Sequence, residues 1–216
     1  MNKLACYFFD FDGTLINIKN KVYKAHVNSC IRNNQKPFKK ETYWRLKRNR
    51  TPEEEIVNFS PNIFKKYNAF RIENLEDETS LELDTVYPGV KELLKKLNNE
   101  NTILFLITRR KYTDRLKEEL TRLNLLNYFQ YILTPSPKKS KENINGKMML
   151  IQSKKYIYKD CKEKVIIGDT EDEIECGKML SFKTVGVTNG MRNPETLRKF
   201  NPDYLLNSAK DLIKIL

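Results

Sequence analysis

Five short apolar segments constrain the fold of this chain more than any other feature of its sequence. The first, CYFF, ends at residue 9, and the others are TILFLIT (102–108), YILT (131–134), KVIIGD (164–169) and TVGVT (184–188). Continuous Val, Ile, Leu and Phe without polar alternation is typical of strands that are buried on both faces. The five segments therefore predict a parallel sheet.

Helical patterns separate these predicted strands. Apolar residues recur at the spacing of one helix face on both sides of the second predicted strand. Val90, Leu93, Leu94 and Leu97 come before it, and Leu116, Leu120 and Leu123 come after it. Strands that alternate with helices of this length form right-handed βαβ units. The predicted fold class is α/β, with a doubly wound parallel-sheet core.

Residues 17–85 interrupt this alternation. They contain no convincing strand, and between residues 19 and 50 eleven Lys or Arg stand against one acid, Glu41, in a chain of net charge +12. We predict a helical domain at 17–85, inserted into a core formed by 1–16 and 86–216. A basic block of this kind suits a solvated face, a surface for an anionic substrate or a nucleic-acid footprint, and charge alone does not choose among them.

Composition narrows the setting of the protein. No segment approaches the roughly 20 apolar residues that a membrane-spanning helix requires, and the first residues do not resemble a signal peptide. Four cysteines without a CxxC pair, and a single histidine, His26, predict reduced thiols and no zinc site. These features lead us to expect a soluble cytoplasmic protein.

Polar residues end three of the predicted strands, where packing alone would not select them. They are Asp10, Thr108 and Asp169. Ligands of open parallel sheets bind outside the carboxyl ends of the strands, so these side chains are expected to share one crevice.

Asp12 follows Asp10 by two residues, which directs both carboxylates to one side of an extended backbone. Their repulsion predicts a compensating cation, for which Mg²⁺ suits an oxygen donor set.

Four motifs in this order resemble the haloacid dehalogenase-like hydrolase superfamily. DFDGT (10–14) matches its first motif, Thr108 the second, Lys147 in NGKMMLIQ the third, and GDTEDE (168–173) the fourth. The likeness covers 1–16 and 86–216. Within the superfamily, the chain is similar to the phosphoglycolate phosphatase-like branch. The resemblance implies a Rossmann-like core.

The resemblance also implies catalytic roles. Asp10 would be the nucleophile that forms an aspartyl-phosphate, and Asp12 the general acid and base. Thr108 would donate a hydrogen bond to a phosphoryl oxygen, and Lys147 would neutralise charge on the nucleophile and the transferring group. A start-of-helix position favours Lys147 over the nearby alternatives Lys138, Lys139 and Lys141.

Mg²⁺ would be held by Asp10, by the backbone carbonyl of Asp12 and by Asp169. The fourth motif usually has an Asp four residues after its first, whereas this chain has Glu173 there and Asp172 one step earlier. Either acid is a candidate to complete the metal site.

Three further residues, in or next to these motifs, would have supporting roles. Gly13 and Thr14 would shape the loop that leaves the first strand and meet the substrate there. Arg109, directly after Thr108, is a candidate to bind a phosphate or to close a salt bridge.

Residues 17–85 resemble the C1-type helical cap of the superfamily. Such a cap would close over the crevice and supply specificity contacts. We hypothesise that Arg45, Lys47 or Arg48, with Trp44, meets an anionic or ring-bearing leaving group. The alternative is a solvated helix face with Trp44 in the core of the cap, where His26 would also be a packing residue.

The expected function is a Mg²⁺-dependent phosphatase for a small phosphorylated metabolite, with phosphoglycolate, a sugar phosphate or a nucleotide monophosphate as the substrate. Asp12 argues against carbon–halogen cleavage, because the dehalogenase branch lacks this second acid. One alternative is a phosphomutase similar to β-phosphoglucomutase. Another is a non-catalytic basic binding module, although the absence of an aromatic stacking platform disfavours nucleic acid as its partner.

Overall fold

The computed structural model describes residues 5–99, 101–135 and 144–215. In these ranges the strands are β1 (Ala5–Asp10), β2 (Ile16–Asn17), β3 (Thr85–Val86), β4 (Thr102–Ile107), β5 (Tyr131–Leu133), β6 (Glu163–Gly168), β7 (Lys183–Val187) and β8 (Tyr204–Leu206). The α-helices are α1 (Lys19–Arg32), α2 (Lys40–Arg48), α3 (Glu53–Val57), α4 (Pro61–Asn74), α5 (Glu78–Leu81), α6 (Val90–Leu97), α7 (Thr113–Arg122), α8 (Ile144–Gln152), α9 (Lys155–Tyr158), α10 (Glu171–Met179) and α11 (Pro194–Arg198). Leu126–Tyr128 and Ala209–Lys214 form 3₁₀ helices. None of the helices in these ranges has the length and hydropathy needed to cross a membrane.

A six-stranded parallel sheet forms the centre of the fold. Its strand order is β5-β4-β1-β6-β7-β8, so the chain moves outward from β1 to one edge and then returns to build the other half. The order reverses between β1 and β6, which is where doubly wound sheets open a ligand-binding crevice. The predicted α/β class and the five predicted strands are confirmed. The sequence interpretation missed β8, a three-residue edge strand.

Both faces of the sheet are buried, as the unalternating apolar strands predict. Along β1, Tyr7 and Phe9 belong to one hydrophobic cluster, and Cys6 and Phe8 belong to the other. The first cluster includes residues of α6, α7 and the C-terminal 3₁₀ helix, and the second includes residues of α8, α9 and α10. Helices therefore cover both faces, and they leave the carboxyl ends of the strands to form the site.

Residues 17–85, called the insert below, hold the five helices α1 to α5 among the described residues. The chain enters and leaves the insert side by side, because β2 and β3 pair antiparallel with Ile16 opposite Val86. The sequence interpretation missed this ribbon, since each strand has only two residues. Tyr43 and Tyr67 of the insert are fully buried in the cluster that also contains Phe9 of the sheet.

Two cysteines correct an expectation from the sequence. Cys6 in β1 and Cys161, just before β6, form a disulfide, whereas Cys30 and Cys176 are free and buried. β1 and β6 are paired neighbours, so their parallel register brings together residues that are 155 positions apart. Sequence spacing gives no sign of this proximity.

Candidate active site

The three polar strand ends share one cavity, as predicted. Asp10 ends β1, Thr108 follows β4, and Asp169 follows β6, all at the carboxyl edge of the sheet. The parallel register sets Asp10 opposite Ile107 and Phe9 opposite Ile167, which brings the three side chains to similar heights. They line a cavity of about 280 Å³.

Asp10 lies at the base of this cavity and is 5% exposed. Lys147 Nζ donates to its Oδ1 at 2.6 Å, and Thr14 Oγ1 lies 3.0 Å from its Oδ2. Burial raises the pKa of Asp10 to about 7, with Lys147 opposing that shift and Glu173 adding to it. The carboxylate is therefore held in place by its neighbours but needs more positive charge to stay ionised.

Lys147, on α8, is the lysine that the structure brings to Asp10. Its Nζ also donates to Glu173 Oε1, and the side chain is buried. Burial alone would lower the pKa of Lys147, but the two carboxylates raise it above its ordinary value. The alternatives Lys138, Lys139 and Lys141 lie outside the described residues.

Asp169 is the second buried carboxylate at the switch point of the sheet. Met191 N donates to its Oδ2 at 2.6 Å, and Thr14 Oγ1 lies 3.3 Å from its Oδ1. A Cβ placed on Gly13 or on Gly190 would collide with Asp169 Oδ2, and Gly13 has φ +85°, a conformation that favours glycine. The two glycines thus leave space for this carboxylate beside the loop of the first motif.

The charges of this pair fit a divalent cation. Burial, followed by the charges of Asp10 and Glu173, raises the pKa of Asp169 well above its ordinary value. Two neighbouring buried carboxylates whose pKa values are both raised lack compensating positive charge. Carboxylate oxygens are the donors that Mg²⁺ prefers, so the residues present suit that ion.

The remaining candidate metal ligands are bonded elsewhere. Glu173 accepts from Lys147 and also from Thr170, whose Oγ1 donates to Oε2 at 2.7 Å in the capping box of α10. Asp172 pairs with Arg109 Nη2 at 3.0 Å. Within 5–99, 101–135 and 144–215, no three His, Cys, Asp or Glu side chains are close enough to hold a metal ion. The structure brings Asp10 and Asp169 together, and it does not bring Asp172 or Glu173 to them as a third carboxylate ligand.

Asp12 lies in a cluster of buried charges. Its carboxylate accepts two hydrogen bonds from Arg110 and one from Lys21 Nζ at 2.8 Å. Arg110 and Lys21 also contact Asp84, which is fully buried. Burial would raise the pKa of Asp12, but the charges of Arg110 and Lys21 outweigh it and hold the pKa below its usual range. Thr108 supports this arrangement, because its Oγ1 accepts from Arg110 N at 3.3 Å.

Sequence reasoning missed the partners of Asp12. Arg110 directly follows the strand-end pair Thr108 and Arg109. This position beside the predicted site was the sequence signal that could have indicated a basic partner for Asp12. Lys21 and Asp84 stand in charged segments of the insert, where pattern gives no sign that a charge is buried.

Comparison with known proteins agrees with this geometry. Residues 7–187 match the model of the family described as haloacid dehalogenase-like hydrolase. The chain belongs to the haloacid dehalogenase-like hydrolases. A relative, pyrophosphatase PpaX of Listeria innocua, is 28% identical over an alignment of 231 positions. The alignment covers 99% of this chain and 97% of the relative.

Solved structures show the same fold. A haloacid dehalogenase-like hydrolase from Streptococcus pneumoniae superposes with a TM-score of 0.79 at 18% identity, over 100% of this chain and 99% of that chain. A predicted phosphoglycolate phosphatase from Haemophilus somnus gives a TM-score of 0.74 at 20% identity, over 97% of this chain and 96% of that chain. The resemblance noted in the sequence is confirmed, and the chain is a phosphatase-like hydrolase of this family.

The insert forms the other wall of the cavity in this haloacid dehalogenase-like hydrolase. Four polar residues of the insert line it, namely Lys21, Lys47, Arg71 and Glu76. On the core side, Arg109 and Arg192 line it together with the residues of the motifs. The cavity therefore lies between the insert and the carboxyl edge of the sheet.

The three basic residues predicted to meet substrate have different surroundings. Lys47 lines the cavity, and Arg45 is exposed and is not among the described lining residues. Arg48 connects the insert to the core, because its Nη2 donates to the carbonyl oxygens of Thr188 and Arg192. Lys47 is thus the member of the predicted trio that the structure brings to the site.

Trp44 and His26 pack inside the insert, which agrees with the alternative interpretation of these two residues. Trp44 is 8% exposed and belongs to the main hydrophobic cluster. His26 is fully buried, with Nδ1 2.7 Å from Tyr67 Oη and Nε2 accepting from Phe38 N at 3.1 Å. Neither side chain is among the described residues that line the cavity.

Proposed function

We propose that this chain is a Mg²⁺-dependent phosphatase that hydrolyses a small phosphorylated metabolite through an aspartyl-phosphate on Asp10. The supporting observation is the buried contact between Lys147 and Asp10, beside Asp169, at the base of a cavity that Thr108 also lines. A nucleophile, a fixed cation and a hydroxyl donor around one cavity are the parts that phosphoryl transfer requires.

The reaction has two displacements. A carboxylate oxygen of Asp10 forms a bond to phosphorus while the bond from phosphorus to the leaving oxygen breaks, and a proton from Asp12 neutralises a leaving alkoxide. Water then attacks the phosphorus, gives a proton to Asp12, and releases phosphate as the bond to Asp10 breaks. Thr108 donates to a phosphoryl oxygen, and Lys147 stabilises the negative charge that both steps spread over the group.

Asp10 and Asp169 would hold Mg²⁺, and the bound ion would reduce repulsion between the anionic nucleophile and the anionic substrate. The raised pKa values of both carboxylates support this assignment.

Inorganic pyrophosphate is a second candidate substrate. Both oxygens of Asp12 accept from Arg110, which favours the ionised carboxylate and disfavours the protonated form that a leaving alkoxide needs. A phosphate leaving group departs as an anion and needs that proton less than an alkoxide does. The relative from Listeria innocua is named a pyrophosphatase, which agrees with such a substrate.

The insert would serve as a cap over the core. It supplies one wall of the cavity and is bonded to the core at the ends of α2 and α4, through Arg48 and Glu76. A cavity of about 280 Å³ suits a small substrate and restricts bulk water around the phosphorus.

Phosphate release in the presence of Mg²⁺ tests this proposal. The panel contains para-nitrophenyl phosphate, pyrophosphate, phosphoglycolate, sugar phosphates and nucleotide monophosphates. We expect release from at least one of them, and its loss in Asp10→Asn. Asp160→Asn, a change at an exposed acid away from the cavity, is the matched control and should keep the activity.

Absence of phosphate release from the whole panel would contradict the proposal. An isomerised sugar phosphate formed in place of free phosphate would instead favour the phosphomutase alternative.

A further inference from the structure

A buried carboxylate in the insert organises two cations that the catalytic steps above do not use. Glu53 Oε1 accepts from Tyr43 Oη at 2.8 Å and from Tyr67 Oη at 2.6 Å. Lys47 Nζ donates to Oε2 at 2.8 Å, and Arg71 Nε lies 3.6 Å from Oε1. Although burial opposes it, the charges of Arg71 and Lys47 lower the pKa of Glu53 to about 2.

The charges around Glu53 do not balance. Lys47 and Arg71 carry two positive charges against the single charge of Glu53, and their side chains are only 14% and 12% exposed. Arg71 donates through Nη2 to Asn68 Oδ1 at 3.0 Å, but its buried Nε has no hydrogen-bond partner among the described residues. An uncompensated buried cation is costly, and an anion placed beside it would remove that cost.

Both cations face the cavity of the candidate active site. The described lining contains seven basic and four acidic side chains, so the cavity as a whole attracts anions. Asp10 and Asp169 lie at the phosphoryl end, and Asp12 is held by Arg110. The fourth acid, Glu76, accepts from backbone N–H groups at residues 111 and 112. None of the four is bonded to Lys47 or Arg71 among the described contacts.

A network of His26, Tyr43 and Tyr67 around Glu53 fixes the positions of the two cations. His26 Nε2 accepts from Phe38 N, so its Nδ1 carries the proton and donates to Tyr67 Oη, whose own proton goes to Glu53. Tyr43 stacks on the imidazole of His26 with ring centroids 4.0 Å apart. A cationic pair held by such a packed network is organised before a ligand arrives.

We infer that Lys47 and Arg71, held by Glu53, form an anion subsite that binds a second anionic group of the substrate. The inference rests on the proposed function, because it places the transferred phosphoryl group at Asp10, Thr108 and Lys147. It narrows the substrate to a compact molecule with two anionic groups. The second group is either a phosphate, as in pyrophosphate, or a carboxylate, as in phosphoglycolate.

Calorimetric titration in the Asp10→Asn background tests the subsite without turnover. The ligands are orthophosphate, pyrophosphate and phosphoglycolate, all in one Mg²⁺ buffer. Pyrophosphate or phosphoglycolate should bind at least about tenfold more tightly than orthophosphate, since a charge-assisted contact is worth roughly that factor. Whichever ligand shows the preference identifies the second group as phosphate or carboxylate.

Lys47→Met and Arg71→Met, each added to Asp10→Asn, should reduce this preference by at least about fivefold, because each removes one cation from the subsite. Lys47→Arg should retain it. Lys66→Met is the matched control, since it removes an exposed cation of α4 and should leave the preference unchanged. Thermal unfolding of each variant shows whether it is folded, and the two Met variants test the subsite independently of each other.

Equal affinity for all three ligands, or a preference that survives both Met variants, would overturn the inference. Failure of the proposed function has a different signature. In that case the wild type would release no phosphate from any member of the panel, while the binding preference and its loss in the variants would remain.

Discussion

Arg110 donates hydrogen bonds to both oxygens of Asp12, with Nε 2.6 Å from Oδ2 and Nη2 2.8 Å from Oδ1. The same guanidinium lies 3.2 Å from Asp84 Oδ2 and 3.3 Å from Glu119 Oε2. Lys21 supplies a second cation, and burial raises the pKa of Glu119 to about 8. The cluster thus sets three carboxylates against the two cations Arg110 and Lys21, and burial favours the neutral form of Glu119.

Arg110→Gln should destabilise the protein strongly, because it leaves the carboxylates of this cluster with one cation fewer. Removing one partner of a buried ion pair costs about 3–5 kcal/mol, and we expect a loss of about 3 kcal/mol in the free energy of unfolding. Urea denaturation at pH 7 measures it.

The neighbouring Arg109 provides the control for stability. Its side chain is 47% exposed and pairs with Asp172, so Arg109→Gln should cost less than about 1 kcal/mol. Equal losses in the two variants would show that the buried cluster contributes no more than a surface pair.

Gly190→Ala should disable the site while the fold is kept. Its Cβ would collide with Asp169 Oδ2 and with the carbonyl oxygen of Gly13, both of which belong to the proposed Mg²⁺ and phosphoryl region. Since a displacement of about 1 Å can cost about 100-fold in rate, we expect at least that loss in kcat/KM.

Gly186→Ala, in β7, is the matched control for this change. Its Cβ would meet the end of the Leu205 side chain at 3.1 Å, and that side chain can move. If Gly190→Ala hydrolyses its substrate as well as Gly186→Ala does, the proposed position of Asp169 in the site is wrong.

Much of the core could be predicted because its signals are local. Uninterrupted apolar runs marked β1, β4, β5, β6 and β7, and polar residues at the ends of three of them marked Asp10, Thr108 and Asp169. Parallel strands bring such ends to one edge wherever they occur in the chain. The family resemblance, together with a helix-start position, singled out Lys147, which the structure brings to Asp10.

Other features of the fold and the site depend on contacts between residues that are far apart in the sequence. Local sequence patterns do not indicate such contacts. Cys6 and Cys161 are joined only through the register of β1 and β6. The basic block of the insert gave no sign that Lys47 faces the cavity while Arg48 binds backbone carbonyls of the core. Glu173 fits the spacing of a metal ligand, yet folding directs it to Lys147.

Mg²⁺ should stabilise the protein against heat, because it would relieve the repulsion between Asp10 and Asp169. A ligand at about 100 times its Kd stabilises a fold by about 2.7 kcal/mol, so Tm should rise with Mg²⁺ and fall back with a chelator. Asp169→Asn should lose most of this rise. It should also be no less stable than the wild type without Mg²⁺, since it removes a buried charge.

Asp160→Asn is the control for this measurement, because Asp160 is exposed and should not affect the response to Mg²⁺. An equal rise in Tm for Asp169→Asn and the wild type would exclude Asp169 as a ligand.

His26 makes the stability of the insert depend on pH. Burial, assisted by the charges of Arg71 and Lys47 and opposed by Glu53, lowers the pKa of His26 to about 4 from an ordinary value of 6.5. The uncharged ring suits its surroundings, since Nε2 accepts from a backbone N–H and one face stacks on Tyr43. Protonation would add a third positive charge beside Lys47 and Arg71.

Because the folded protein holds His26 neutral, its contribution to stability is complete above about pH 6.5 and is lost as the pH falls toward 4. The lost free energy of unfolding at pH 4 is about 3 kcal/mol, at roughly 1.4 kcal/mol for each unit of pKa difference. Urea denaturation of the wild type and of His26→Gln at pH 7, 6, 5 and 4 measures it. Glu53 titrates at lower pH in both proteins and largely cancels in the comparison. The two stability curves should converge as the pH falls, because the variant lacks the titrating ring, and parallel curves would show that His26 is not held neutral.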